Sequence, residues 1–204
     1  MIDDFAHEFW KDRARATTSS IRWTDEQMLA VDVALLDSLT EPGSTLLDLG
    51  CGTGDLFLAL LDKFSHVTAV DMIPEFLERI PEDPRITTVV SELTSYHPEG
   101  PSDAATLFGV VTHLTPEQEA ATYRLLRDAT PGGLVVVKNQ CGRDDDVEVD
   151  AWSEAFGRRY VGRYPQVDRQ AERLREVFGS VEVVRYPEEL NRWENSLHAA
   201  FVCR

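Results

Sequence analysis

Cysteine is scarce: Cys51, Cys141 and Cys203 are the three in 204 residues. An odd number, far apart and without metal-ligand spacing, argues against a disulfide framework or a cysteine metal site and suits a reducing compartment. Lysine is equally scarce, with Lys11, Lys63 and Lys138 alone, so arginine supplies most of the positive charge. Basic residues number 20 against 36 acidic ones, for a net charge of −16. A chain this acidic repels a phosphate backbone, which argues against nucleic acid as substrate or partner. Apolar runs long enough to span a membrane are missing, so no membrane partner is expected. The opening Met1-Ile2-Asp3-Asp4 has no positive segment followed by an apolar one. No secretory leader is expected, and the default location is cytoplasmic. Internal repeats and low-complexity tracts are lacking too.

What remains is the make-up of a soluble globular chain, 43% hydrophobic and 27% charged. Its length suffices for one domain with a real core, so residues 1–204 are expected to form a single domain. The chain is organised around Thr45-Leu46-Leu47-Asp48-Leu49-Gly50-Cys51-Gly52-Thr53-Gly54-Asp55-Leu56. An apolar run reads as a buried strand, a glycine cluster as a tight turn, and Leu56, Leu60 and Leu61 as the start of a helix to about Phe64. Such a turn aims backbone N–H groups and the positive end of a helix dipole at a ligand. Gly50, Gly52 and Gly54 allow the sharp backbone path. A dinucleotide site requires G-x-G-x-x-G, whereas the spacing here is G-x-G-x-G. Asp48 just before the glycines would repel a pyrophosphate and suits a ligand with an amino group. Cys51 reads as a small residue that fits the loop.

Around this stretch, helices are expected from about Asp3 to Ala16, through Met28, Val31, Leu35 and Leu39 after a Thr24 cap, from Pro74, and from Thr115 to the Pro131 break. Strands are expected at 45–49, 66–70, 86–90, 104–111 and 134–137. Residues 141–150 read as an acidic loop, Trp152 to Tyr160 as a helix and 162–165 as a loop. Asp168 to Phe178 is a clear helix, and 181–185 and 198–203 close the chain as a strand pair. Alternating strands and helices imply a doubly wound α/β fold, a Rossmann-like, mostly parallel sheet with helices on both faces.

Asp48-Leu49-Gly50-Cys51-Gly52-Thr53-Gly54 resembles the first motif of the class I S-adenosylmethionine (SAM) methyltransferases, acidic-x-G-x-G-x-G. The resemblance covers residues 44–140 and implies a seven-stranded sheet whose last strand is antiparallel beside strand five. It implies SAM as cofactor and S-adenosylhomocysteine (SAH) as product. Asp48 and the glycine turn with Cys51 would take the methionine end. Asp71, about 20 residues past the glycines, sits where a carboxylate reads a ribose diol, or else caps the helix at Pro74. Met72 would lie on the adenine or fill core. Glu92, where the family more often has Asp, and the Leu93 N–H would meet the adenine edge. The stretch from Asp103 to Leu114 resembles the fourth-strand motif and would place Leu107 and Phe108 under the cofactor. Trp10-Lys11-Asp12-Arg13-Ala14 resembles an N-terminal segment that folds over it, with Arg13 on the methionine carboxylate or simply in a surface ion pair.

His113 is the candidate base, or a brace for its loop, and His198 the second candidate. The acceptor is expected against an N-terminal helical lid, residues 1–40, and the segments 141–165 and 186–196. Candidate contacts are Arg22 and Trp23 from the lid, then Lys138, Asn139, Tyr160, Arg163, Tyr164, Asn195 and His198. Arginines with aromatics suggest a polar or anionic small-molecule acceptor, or else merely balance nearby acids. The sequence therefore points to methylation of an O or N atom of a small polar metabolite, such as a sugar or biosynthetic intermediate, with no metal. A nicotinamide-dependent oxidoreductase, a SAM-binding protein without activity, and a protein or RNA methyltransferase stay as alternatives.

Overall fold

The computed structural model describes residues 2–16, 26–154, 157–191 and 193–204. The Thr24 cap and the candidates Arg22 and Trp23 lie outside these residues. In chain order the elements are α1 (Ile2–Ala16), α2 (Glu26–Leu39), β1 (Ser44–Leu49), α3 (Asp55–Leu58), β2 (Phe64–Asp71), α4 (Pro74–Leu77), β3 (Ile86–Val90), β4 (Ala104–Phe108), α5 (Pro116–Ala129), β5 (Leu134–Gly142), β6 (Val147–Ser153), β7 (Arg158–Tyr164), α6 (Val167–Arg175), β8 (Val181–Arg185) and β9 (Ser196–Cys203).

Seven strands form one sheet in the order β3-β2-β1-β4-β5-β9-β8. The first five are parallel, and β9 runs antiparallel between β5 and β8. Successive side chains on a strand point to opposite faces, so each inner strand feeds two cores. Leu47, Ala105, Leu107, Val135 and Val137 pack with Tyr123, Leu126, Ala171 and Leu174 of α5 and α6. Leu46, Ala104, Val136 and Ala200 pack on the other face with Met28, Leu36 and Phe57 of α2 and α3. The helix–sheet–helix sandwich follows directly from these two apolar sets.

Several local expectations are corrected. The helix after the glycines is only four residues, followed by a 3₁₀ turn at Leu61–Lys63. Phe64, 2% exposed, already pairs with Ser44, so β2 pairing captures the segment that helical periodicity claimed. Strand β4 ends at Phe108, where Gly109 turns the chain at φ +72° into the 3₁₀ turn Val111–His113. The expected Thr115 cap is present as a full capping box with Gln118. The largest difference lies at 141–165: β5 runs on to Gly142, and β6 and β7 form a separate antiparallel hairpin. This hairpin stands in place of the expected loops and the Trp152–Tyr160 helix. Val147 and Val149 alternate with exposed Glu148 and Asp150, a period of two.

Candidate functional site

The carboxyl ends of β1 to β5 open into a cavity of about 700 Å³, roofed by Ala6, His7 and Trp10 of α1. That is where ligands sit in an open α/β sheet, and the volume is of small-molecule size. At the ends of successive strands stand Glu92 after β3, Asp71 on β2, Asp48 on β1 and Phe108 on β4, with Lys138 beside Phe108 midway along the longer β5, all lining it. The strands thus bring carboxylates from β1 to β3 and, from β5, an ammonium paired with Asp32 of α2.

Asp48 is 3% exposed, and its Oδ1 accepts the Thr106 hydroxyl at 2.6 Å. Burial pushes its pKa up to about 7, against the Thr106 bond that lowers it, with Asp71 adding a further rise. Burial also raises Asp71, against backbone N–H bonds from Ile73 and Gly52 and with Glu92 adding to the rise. The Asp71 Oδ1 accepts from Ile73 N–H at 2.9 Å and its Oδ2 from Gly52 N–H at 2.8 Å. It both caps the turn into α4 and ties the glycine loop to β2.

Four amides of the glycine loop are bonded within the protein. Gly50 and Cys51 N–H donate to Val70 O, Gly52 N–H to Asp71, and Gly54 N–H to Cys51 O. With these donors consumed and α3 one turn long, the loop is no anion cradle. Gly50 has φ +70°, and an added Cβ would come within 2.3 Å of the Val110 methyl. Burial, then Asp48 and Asp71, push the Cys51 thiol well above its ordinary range, so it stays protonated.

Of the candidates named from the sequence, the cavity brings together Trp10, Asp48, Gly50, Cys51, Gly52, Asp71, Met72, Glu92, Leu93, Phe108, His113 and Lys138. His113 sits on the 3₁₀ turn after β4, its ring edge-on to Trp10 at 5.3 Å and to Tyr160 at 5.9 Å. Lys138 Nζ lies 3.2 Å from Asp32 Oδ2, and Asp32 Oδ1 accepts the Tyr186 hydroxyl at 2.6 Å.

Other candidates fall elsewhere. Leu107 is fully buried in the opposite core: neighbours on a strand cannot both face one ligand, and Phe108 takes the cavity side. Gly54 is structural, since a Cβ there would reach the Phe57 ring at 2.6 Å. Arg13 does not line the cavity. The next residue, Ala14, is buried against Ile73 and Phe76. Asn139 faces away from Lys138 and exchanges amide hydrogen bonds with Gln170 at 3.0 and 3.1 Å. Arg163 forms a buried ion pair with Glu119. Tyr160 and Tyr164 pack with Phe9 beneath α1, so the former touches His113 from outside the cavity. Asn195 is exposed and accepts Arg143 N–H at its carbonyl, while His198 lies on β9 opposite Gln140. Arg143, Arg158 and Arg159 pair with Glu188, Asp12 and Asp150. The charge-balancing reading of the arginines is the one the geometry favours.

Three lining residues not anticipated from the sequence are on α2: Met28, Leu29 and Asp32. Met28, Asp32 and Leu36 are the buried stripe of that helix, so an acid at helical spacing inside an apolar face is the signal that could have found them. Among the described residues, no cluster of three or more potential metal ligands occurs, and no helix is long and apolar enough to cross a membrane.

Residues 46–133 match a family model described as a methyltransferase domain. The chain is 30% identical over 136 residues to 2-methyl-6-phytyl-1,4-hydroquinone methyltransferase of Synechocystis sp., covering 63% of this chain and 42% of that protein. It is 26% identical over 121 residues to trans-aconitate 2-methyltransferase of Azoarcus sp., covering 58% and 47%. The chain thus spans less than half the length of these curated relatives. Among solved structures, a DhpI–SAM–HEP complex superimposes with TM-score 0.76 at 17% identity, over 100% of this chain and 97% of that one.

Proposed function

We propose that the chain is a class I SAM-dependent methyltransferase, as its methyltransferase-domain match over residues 46–133 supports, and that it moves a methyl group from SAM to an O or N atom of a small polar metabolite. The observation that carries this is the row of Asp48, Asp71 and Glu92 at the ends of three adjacent strands. The neighbouring charge that raises Asp48 is Asp71, and the one that raises Asp71 is Glu92. Carboxylates that raise one another's proton affinity suit a cationic, hydroxyl-rich ligand. With the Gly50, Cys51, Gly52 and Gly54 amides bonded within the protein, that turn has none of these four donors left for a pyrophosphate.

When bound, SAM supplies an activated methyl on a sulfonium. The protein's share is placement, exclusion of water and proton removal. Asp48 would hold an ammonium, Asp71 a diol, and Glu92 with the Leu93 N–H an adenine edge. Trp10 and Met72 would cover the flat faces, and α1 with α2, within residues 1–40, would wall the site from water. His113, which lines the cavity, would take a proton from the attacking group. Trp10 and Tyr160 pack edge-on against its ring and would limit its movement. The acceptor would enter on the β4–β5 side, a small molecule rather than a nucleic acid.

Calorimetry with SAH and with NAD tests the reading. SAH binding without NAD binding is expected, and the reverse would overturn it. SAH release from SAM with a panel of hydroxy and amino metabolites then separates an enzyme from a silent binder.

A further inference from the structure

Lys138 stands apart from the carboxylate row. It is 9% exposed, yet lines the cavity midway along β5, level with the end of β4. It pairs in register with Phe108, and its carbonyl accepts Gly109 N–H at 2.7 Å, on the turn that leads to His113. No other lysine and no arginine is among the cavity-lining residues described. The ammonium lies 5.9 Å from the Phe108 ring centre and 5.6 Å from that of Tyr186. Its carboxylate partner, Asp32, is tied through its other oxygen to Tyr186.

A buried ion pair is weak evidence of a stability role, because desolvation offsets most of the attraction. What this pair does is aim. Tyr186 orients Asp32, Asp32 takes one of the three ammonium protons, and aromatic faces flank the head. Asp32, which also lines the cavity, accepts from Tyr186 and Lys138, and the remaining Lys138 N–H groups are the donors this cluster offers a ligand. Such a donor recognises an oxyanion.

We propose that Asp32, Tyr186 and Lys138 form an acceptor-recognition site, in which Lys138 binds a carboxylate or phosphoryl oxygen of the methyl acceptor. The proposal rests on the methyltransferase reading and narrows its acceptor to an anionic metabolite. The same chemistry occurs on the methionine carboxylate of SAM. Position favours the acceptor: Lys138 is on the strand beyond Phe108, while the carboxylates lie on β1 to β3.

The test uses the SAH-loaded protein, titrated with malonate, with inorganic phosphate and with uncharged malonamide. Malonate or phosphate is expected to bind at least about tenfold more tightly than malonamide, and Lys138→Met to remove that difference while SAH affinity holds. Equal binding of malonate and malonamide by the wild-type protein overturns the proposal, whatever the variants do. A loss of SAH affinity in Lys138→Met with malonate unaffected overturns it in favour of the cofactor's carboxylate. If Lys138→Met does not fold, Asp32→Asn/Lys138→Met removes both charges and takes its place. Failure of the wild-type protein to bind SAH strikes the methyltransferase reading itself.

Discussion

The two halves of the cavity are built on different principles. On the β1–β3 side the polar groups are close to the backbone: Asp48 and Asp71 stand on the strands themselves, and the glycine loop is pinned by main-chain hydrogen bonds. On the β5 side the polar groups are long side chains joined across distant segments. Asp32 meets Lys138 and Tyr186 from 106 and 154 residues away. Behind them, Glu119 joins Arg163, Arg173 and Tyr123, while Gln170 joins Tyr123 to Asn139. A half made from local sequence suits an invariant ligand. A half assembled from remote side chains can be rebuilt without moving the sheet.

The sharpest way to break this comparison is at the junction. His113→Ala is expected to lower the rate of SAH formation about 10²–10⁴-fold while calorimetric SAH affinity stays put. Unchanged turnover would make His113 a brace for its loop. Next, Glu119→Ala leaves two arginines facing an empty place, 11% and 33% exposed at their side chains, and is expected to cost about 3–5 kcal/mol in denaturant unfolding. A loss under about 1 kcal/mol would mean the network is not structural.

Gly50→Ala forces a side chain onto a φ of +70° and against Val110, so strain of about 1–3 kcal/mol and weaker SAH binding are expected. An unaltered melting midpoint would show that Val110 yields. Asp48 gives a pH test. Its folded pKa, about 7, lies above the ordinary value of 3.8, so the folded state holds the extra proton between the two. Stability without ligand should therefore fall as pH rises from about 4 to 7, more in wild type than in Asp48→Asn. SAH affinity should rise through the same window in wild type and stay flat in the variant, because an ammonium needs the charged carboxylate. The smallest effect is expected at the exposed Arg159–Asp150 pair on the hairpin, 2.6 Å apart, where Arg159→Ala should leave melting and SAH binding unchanged.

Legibility in the sequence follows the same division. The order of strands and helices up to β5, the glycine turn, the Thr115 cap and the acids at strand ends each depend on residues a few positions apart, and each is present. The hairpin is harder to read, because a helical pattern over Trp152 to Tyr160 competes with the alternation of 147–153, and strand pairing decides between them. Leu107 looks like a cofactor contact beside Phe108 until the pleat sends the two to opposite faces. The arginines look available because their partners, such as Glu119 for Arg163 44 residues away, are brought close only by folding.

The amino-acid sequence by itself determined a doubly wound sheet with a carboxylate-lined crevice, because periodicity and turn chemistry act over neighbouring residues. Tertiary structure alone decided which cation faces that crevice. Among the described residues Lys138, paired with Asp32, does so rather than any arginine, since the packing of distant segments chooses which charged side chains reach the crevice wall.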